Sequence, residues 1–139
     1  LQRNAERLGL QAIAVLAADA TGLLELRPDW AGHFDAVLLD APCSGLGTLA
    51  RHGDARWRLT PEAIDELVLL QRQLLDALAP LVRPGGRLVY ATCTVHPREN
   101  DAQIEAFVAA HPGWTLQQHW QRWPGDGDGF YAALLRAPL

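Results

Sequence analysis

Two apolar runs and the helical pattern between them constrain this chain more than any other feature. Residues 34–40, Phe-Asp-Ala-Val-Leu-Leu-Asp, form a continuous apolar stretch cut off by Ala41-Pro42, and residues 87–93 form a second one. Such runs read as buried strands. Between them Thr60 is placed to cap a helix, with Pro61 at its first position and Glu62 in its first turn. Ile64, Leu67, Val68, Leu74, Leu75, Leu78 and Leu81 then recur at helical spacing, so the helix is predicted over 60–82, ended by Pro84-Gly85-Gly86. Strand, crossover helix and parallel strand make a right-handed unit. If the two strands are direct neighbours they lie about 4.8 Å apart and end at the same edge of the sheet.

The rest of the chain fits around this unit. Residues 1–8 read as the last turns of a helix stopped by Gly9, and residues 12–17 as a short buried strand ending near Asp19. Gly, Pro and Asp punctuate 20–33, a loop with room for a helical turn. A helix is predicted over 101–110, stopped by Pro112-Gly113. Two strands over 115–120 and 130–136 follow, joined by the turn at Pro124-Gly125-Asp126-Gly127-Asp128-Gly129, and their short connection makes them antiparallel. The predicted class is therefore α/β, with a mostly parallel sheet and an antiparallel C-terminal pair. A chain of 139 residues is one domain at most.

Composition narrows the function. Hydrophobic residues make up 49% and charged ones 20%, the balance of a globular protein rather than a disordered one. No apolar run approaches the roughly 20 residues of a membrane span, and no signal-like segment opens the chain. Two cysteines then suggest free thiols in a reducing cytoplasm. A net charge of -4 is the wrong sign for a nucleic-acid binder acting alone, because phosphate contacts need Lys and Arg. One loop departs from that balance: Arg51, Arg56 and Arg58 stand with His52 and Trp57, opposed locally only by Asp54. It is either a solvated surface loop or a contact for RNA. Asp126 and Asp128 lack the further ligands of a calcium site, so no metal is expected. The chain begins at Leu1 and contains no Met, and reads as part of a longer protein.

Ligands of open α/β sheets bind outside the carboxyl ends of the strands. Asp40 and Cys93 stand at those ends, and Cys43 lies just beyond. A lone cysteine is most often a small buried hydrophobe. Two cysteines and an aspartate at one functional edge point instead to a thiol-based active site. A dithiol redox centre is the rival reading, but Cys43 and Cys93 lack C-x-x-C spacing.

At Asp40-Ala41-Pro42-Cys43-Ser44-Gly45 and Tyr90-Ala91-Thr92-Cys93-Thr94-Val95-His96-Pro97-Arg98-Glu99-Asn100 the sequence resembles the RNA 5-methylcytosine methyltransferases. Arg51-His52-Gly53-Asp54 with Trp57, Leu70-Gln71 and Gly127-Asp128-Gly129-Phe130-Tyr131-Ala132 are similar to that family as well, so the resemblance covers essentially the whole chain. Gly53 stands where the family usually has Pro, and Thr94 where Ser is common. Neither change removes a reacting group.

The resemblance implies a Rossmann-like class I methyltransferase fold that uses S-adenosylmethionine. Residues 1–139 would be the C-terminal portion of its catalytic domain, lacking the first two strands, the glycine-rich cofactor loop and an N-terminal RNA-binding domain. The reaction implied is methylation of cytosine carbon 5 in RNA, with 16S ribosomal RNA as the expected partner. Transfer RNA, another ribosomal site, or a non-catalytic RNA-binding role remain alternatives. By the same resemblance Cys93 attacks the base, Cys43 assists product release and Asp40 holds the polar edge of the ring. Asp19, Asp40 and Pro42 border the cofactor, and Arg51, Arg56, Trp57 and Arg58 contact RNA.

Overall fold

The apolar runs and helical periods fold where the sequence places them, with two exceptions. The structure, a computed structural model, describes residues 1–57 and 59–139, without the side chains of Ala55 and Arg56. Helix α1 (Gln2–Arg7) ends at Gly9, whose φ of 68° is the left-handed conformation glycine adopts freely. Short helical turns follow, with α2 (Leu23–Leu26) the longest of them. Strand β1 (Phe34–Asp40) leads through a loop to α3 (Pro61–Leu78), and β2 (Val82–Thr92) returns. Helix α4 (Asp101–Ala110), β3 (Thr115–Arg122) and β4 (Phe130–Arg136) complete the chain.

The four strands form one sheet in the order β1-β2-β4-β3. β1 and β2 are parallel direct neighbours, as the crossover requires, and Asp40 lies beside Ala91. β4 is antiparallel to both β2 and β3, so the sheet is mixed. Thr60 Oγ1 accepts a hydrogen bond from Ala63 N at 3.2 Å, which makes it the cap of α3. Leu74, Leu75 and Leu78 of that helix are buried against the sheet, together with Leu39, Leu88, Tyr90 and Leu135. Each such leucine contributes about 1.5–3 kcal/mol by leaving water.

Two expectations are corrected. Residues 12–17 do not form a strand, and Ile13, Val15 and Leu16 are exposed. A strand needs a neighbour to take its backbone hydrogen bonds. Here β1 pairs only with β2 and the described chain offers no ladder on its other side. Leu38 is also 67% exposed, on the face of β1 that carries the exposed Ala36 and Asp40, although its run reads as fully buried. β2 also begins earlier than expected, at Val82. Pro84-Gly85-Gly86 does not separate helix from strand. It lies in a bulge, where the pairing moves from Phe34↔Val82 to Ala36↔Arg87.

Candidate functional site

Backbone geometry brings the two cysteine segments together at the carboxyl ends of β1 and β2. Ala41 N donates to Ala91 O at 2.9 Å, extending the parallel ladder past Asp40. The chain then turns through Gly45, at φ 68°, and Gly47 N donates to Cys93 O at 3.0 Å. Cys43 Sγ and Cys93 Sγ stand 3.4 Å apart, both half-buried. Burial is the main cause that pushes the Cys43 thiol up to about 12, and the neighbouring Cys93 sulfur adds to it. Cys43 is therefore a protonated thiol at neutral pH, able to donate toward its partner sulfur.

A reactivity prediction follows. At pH 8 iodoacetamide labels Cys43 far more slowly than a free cysteine, because only the thiolate reacts. Mass spectrometry of the labelled peptide checks this, and equal rates would remove the thiol assignment. A thiol whose pKa is raised on folding also costs stability at high pH, since the unfolded chain gives up its proton first. Stability should fall as pH rises from the ordinary thiol range toward about 12.

Behind the thiols lies a buried polar network that sequence reasoning missed. Glu99 Oε1 accepts from Ser44 N at 2.8 Å and from Gln71 Nε2 at 3.0 Å. Glu99 Oε2 accepts from Ser44 Oγ at 2.5 Å and from Thr94 Oγ1 at 3.1 Å. The two hydroxyls are 2.8 Å from each other. Gln71 Nε2 also donates to Pro42 O at 2.9 Å, and Tyr90 OH donates to Glu99 O at 2.7 Å. Burial pushes the Tyr90 hydroxyl above the ordinary tyrosine range. The available signals were slight: Ser44 and Thr94 each follow a cysteine, and Gln71 is a polar residue inside the apolar stripe of α3.

The other candidates are placed as follows. The Asp40 carboxylate is exposed, and Pro42 is exposed beside it. Asp19 is exposed too, and its Oδ1 accepts from Thr21 N at 2.9 Å and from Thr21 Oγ1 at 2.7 Å. These bonds hold its carboxyl below the usual range and close a short helical turn. Arg51 is paired with Asp128 of the β3–β4 turn, so its charge is opposed by a residue distant in sequence. Trp57 is 84% exposed and plugs no cavity. Arg58 and the side chain of Arg56 lie outside the described residues. Among the described residues no group of His, Cys, Asp or Glu is placed to hold a metal ion, and no helix is long and apolar enough to cross a membrane.

Residues 1–136 match the family model of the 16S rRNA methyltransferase RsmB/F. The chain belongs to this family. A probable ribosomal RNA small subunit methyltransferase B of Synechocystis is 51% identical over 131 residues, covering 94% of this chain and 29% of that protein. The same-named enzyme of Salmonella newport is 43% identical over 143 residues, 95% of this chain and 32% of its own length. The chain thus spans about a third of the length of these curated relatives. Among solved structures, PH0851 superposes with a TM-score of 0.91 at 35% identity, over 96% of this chain and 33% of that one. The chain therefore has the Rossmann-like fold of class I S-adenosylmethionine-dependent methyltransferases.

Proposed function

We propose that this RsmB/F chain carries the reacting groups of an RNA cytosine-5 methyltransferase acting on 16S ribosomal RNA. The 3.4 Å approach of Cys43 and Cys93 at the strand ends carries this reading. Cytosine carbon 5 is a poor nucleophile. Bonding the Cys93 thiolate to carbon 6 moves the C5–C6 pair of electrons onto carbon 5, which makes it one. S-adenosylmethionine, when bound, supplies the methyl group that carbon 5 takes. A base then removes the proton of carbon 5, the double bond reforms, and the Cys93 sulfur leaves with its electron pair. The Cys43 S–H, protonated and in contact, stabilises that departing thiolate by donating a hydrogen bond to it.

Asp40 fits the polar edge of the base. A carboxylate accepts hydrogen bonds, and the exocyclic amino group of cytosine donates them. Its exposure in the protein alone leaves it open to that partner. If Asp40 instead donates to ring nitrogen 3, its carboxyl must carry a proton when the base is bound. For the cofactor, Asp40 and Asp19 are both acceptors and suit the amino groups of the methionine and adenine moieties. The second carboxylate oxygen of Asp19 serves here, since its described bonds fall on Oδ1. The described residues thus fit part of S-adenosylmethionine. The target base must leave its stack to reach the thiols, and exposed Trp57 offers a face for a neighbouring base.

The full-length protein, S-adenosylmethionine labelled in the methyl group, and 16S or transfer RNA provide the test. Nucleoside digests should hold label as 5-methylcytidine from 16S RNA. Label on a ring amino group or a ribose would overturn the cytosine-5 chemistry, and label in transfer RNA alone would overturn the substrate.

A further inference from the structure

Glu99 is 0% exposed, yet no step of the methyl transfer uses it. A buried carboxylate costs several kcal/mol unless it is well satisfied. Every described contact of its two oxygens is one in which it accepts from a neutral group: Ser44 N, Ser44 Oγ, Thr94 Oγ1 and Gln71 Nε2. Ser44 directly follows Cys43 and Thr94 directly follows Cys93. The carboxylate therefore joins the two cysteine loops through side chains, beside the backbone hydrogen bond from Gly47 N to Cys93 O. Gln71 fastens the same carboxylate to α3 while also holding Pro42 O, on the other side of Cys43. Tyr90 OH fixes the Glu99 backbone from within β2. The loop of Cys43 is thus gripped on both flanks, and the loop of Cys93 on one.

We infer that Glu99 is a positioning residue for both thiols, setting the separation and facing of Cys43 and Cys93. Stability alone does not call for a carboxylate here, because an apolar or neutral group of similar size fills such a space at lower cost. A geometric task does, since a misplacement of about 1 Å at reacting atoms costs on the order of a hundredfold in rate. The consequence for catalysis rests on the roles proposed above for Cys93 and Cys43. The positioning itself does not.

The test separates the two. Diamide oxidises two adjacent thiols to a disulfide and takes up their two electrons and two protons as it becomes the hydrazine. In the full-length protein, the rate of Cys43–Cys93 disulfide formation, read as paired loss of both free thiols by mass spectrometry, reports their mutual placement without any turnover. Glu99→Ala should slow it at least about tenfold, and Ser44→Ala should slow it in the same direction. Glu99→Gln should restore the rate, because its carboxamide oxygen still accepts from Ser44 N and Gln71, and its NH2 donates to both hydroxyls. With RNA and S-adenosylmethionine, Ser44→Ala should also accumulate covalent protein–RNA adduct at an unchanged KM for RNA. A rate unchanged or raised in folded Glu99→Ala overturns the inference. If that variant does not fold, an unchanged rate in Ser44→Ala overturns it. Slowed cross-linking with no adduct in any variant leaves the positioning standing and overturns the cysteine mechanism instead.

Discussion

Gly47→Ala should lower the melting temperature by on the order of 10 °C and leave little methyl transfer. A Cβ at position 47 would overlap Gly129 O and come within 2.7 Å of both Cys93 O and Gly129 C. These are backbone atoms on either side of it, so no side chain can swing away. Two hydrogen bonds meet at the same point: Gly47 N donates to Cys93 O, and Gly129 N donates to Gly47 O at 2.7 Å. A methyl group therefore forces apart the Pro-Cys loop, the Thr-Cys loop and the β3–β4 turn at once. Overpacking of this kind costs about 1–3 kcal/mol, with backbone obstruction at the upper end. Gly53→Ala is the control, since a Cβ there meets nothing within 4 Å and its φ is not positive. That variant should gain about 0.4–1 kcal/mol by restricting the unfolded chain. Thermal melts of the two variants decide the matter. Equal melting temperatures would mean that the three segments are not packed as described.

The Gly47 contact also shows where sequence reading stops. Elements that organise themselves locally were legible: the cap, first turn and apolar stripe of α3, the bounds of α4 and the strand β4 all follow from neighbouring residues. The convergence of Cys43 and Cys93 was legible too, because one crossover helix leaves two parallel strands little freedom. Residues 12–17 were misread since an apolar run states a preference for burial and says nothing about whether a neighbour exists to pair with it. The start of β2 was misread for a related reason. Pro84-Gly85-Gly86 breaks a helix, but a bulge beside Phe34 accommodates it equally well.

Long-range polar pairing was the least legible. Arg51 and Asp128 meet across most of the chain, and nothing near either residue announces the other. Glu99 stands in the Thr-Cys segment with nothing beside it in sequence to announce its burial. Its burial depends on Ser44, Gln71 and Thr94 arriving from three different segments. Such a site is written in the fold as a whole, so only the folded chain displays it.

The largest functional effect expected is a divergence between the two cysteines, in the full-length protein with its RNA. Cys93→Ala should abolish methylation and any covalent RNA complex, because the sulfur that bonds carbon 6 is gone. Cys43→Ala should still permit attack and methyl transfer, since Cys93 keeps its place at the end of β2. What it loses is the protonated neighbour 3.4 Å away that eases departure of the Cys93 sulfur. The methylated base should then stay attached, and a denaturing gel should show a protein–RNA band with Cys43→Ala and none with Cys93→Ala. The adduct should carry labelled methyl, which places the block after transfer rather than before it. The reverse pattern would exchange the roles, with Cys43 as the attacking thiol. Undiminished turnover by Cys93→Ala would remove covalent catalysis altogether, and Asp40 would then have to polarise the base without help from sulfur.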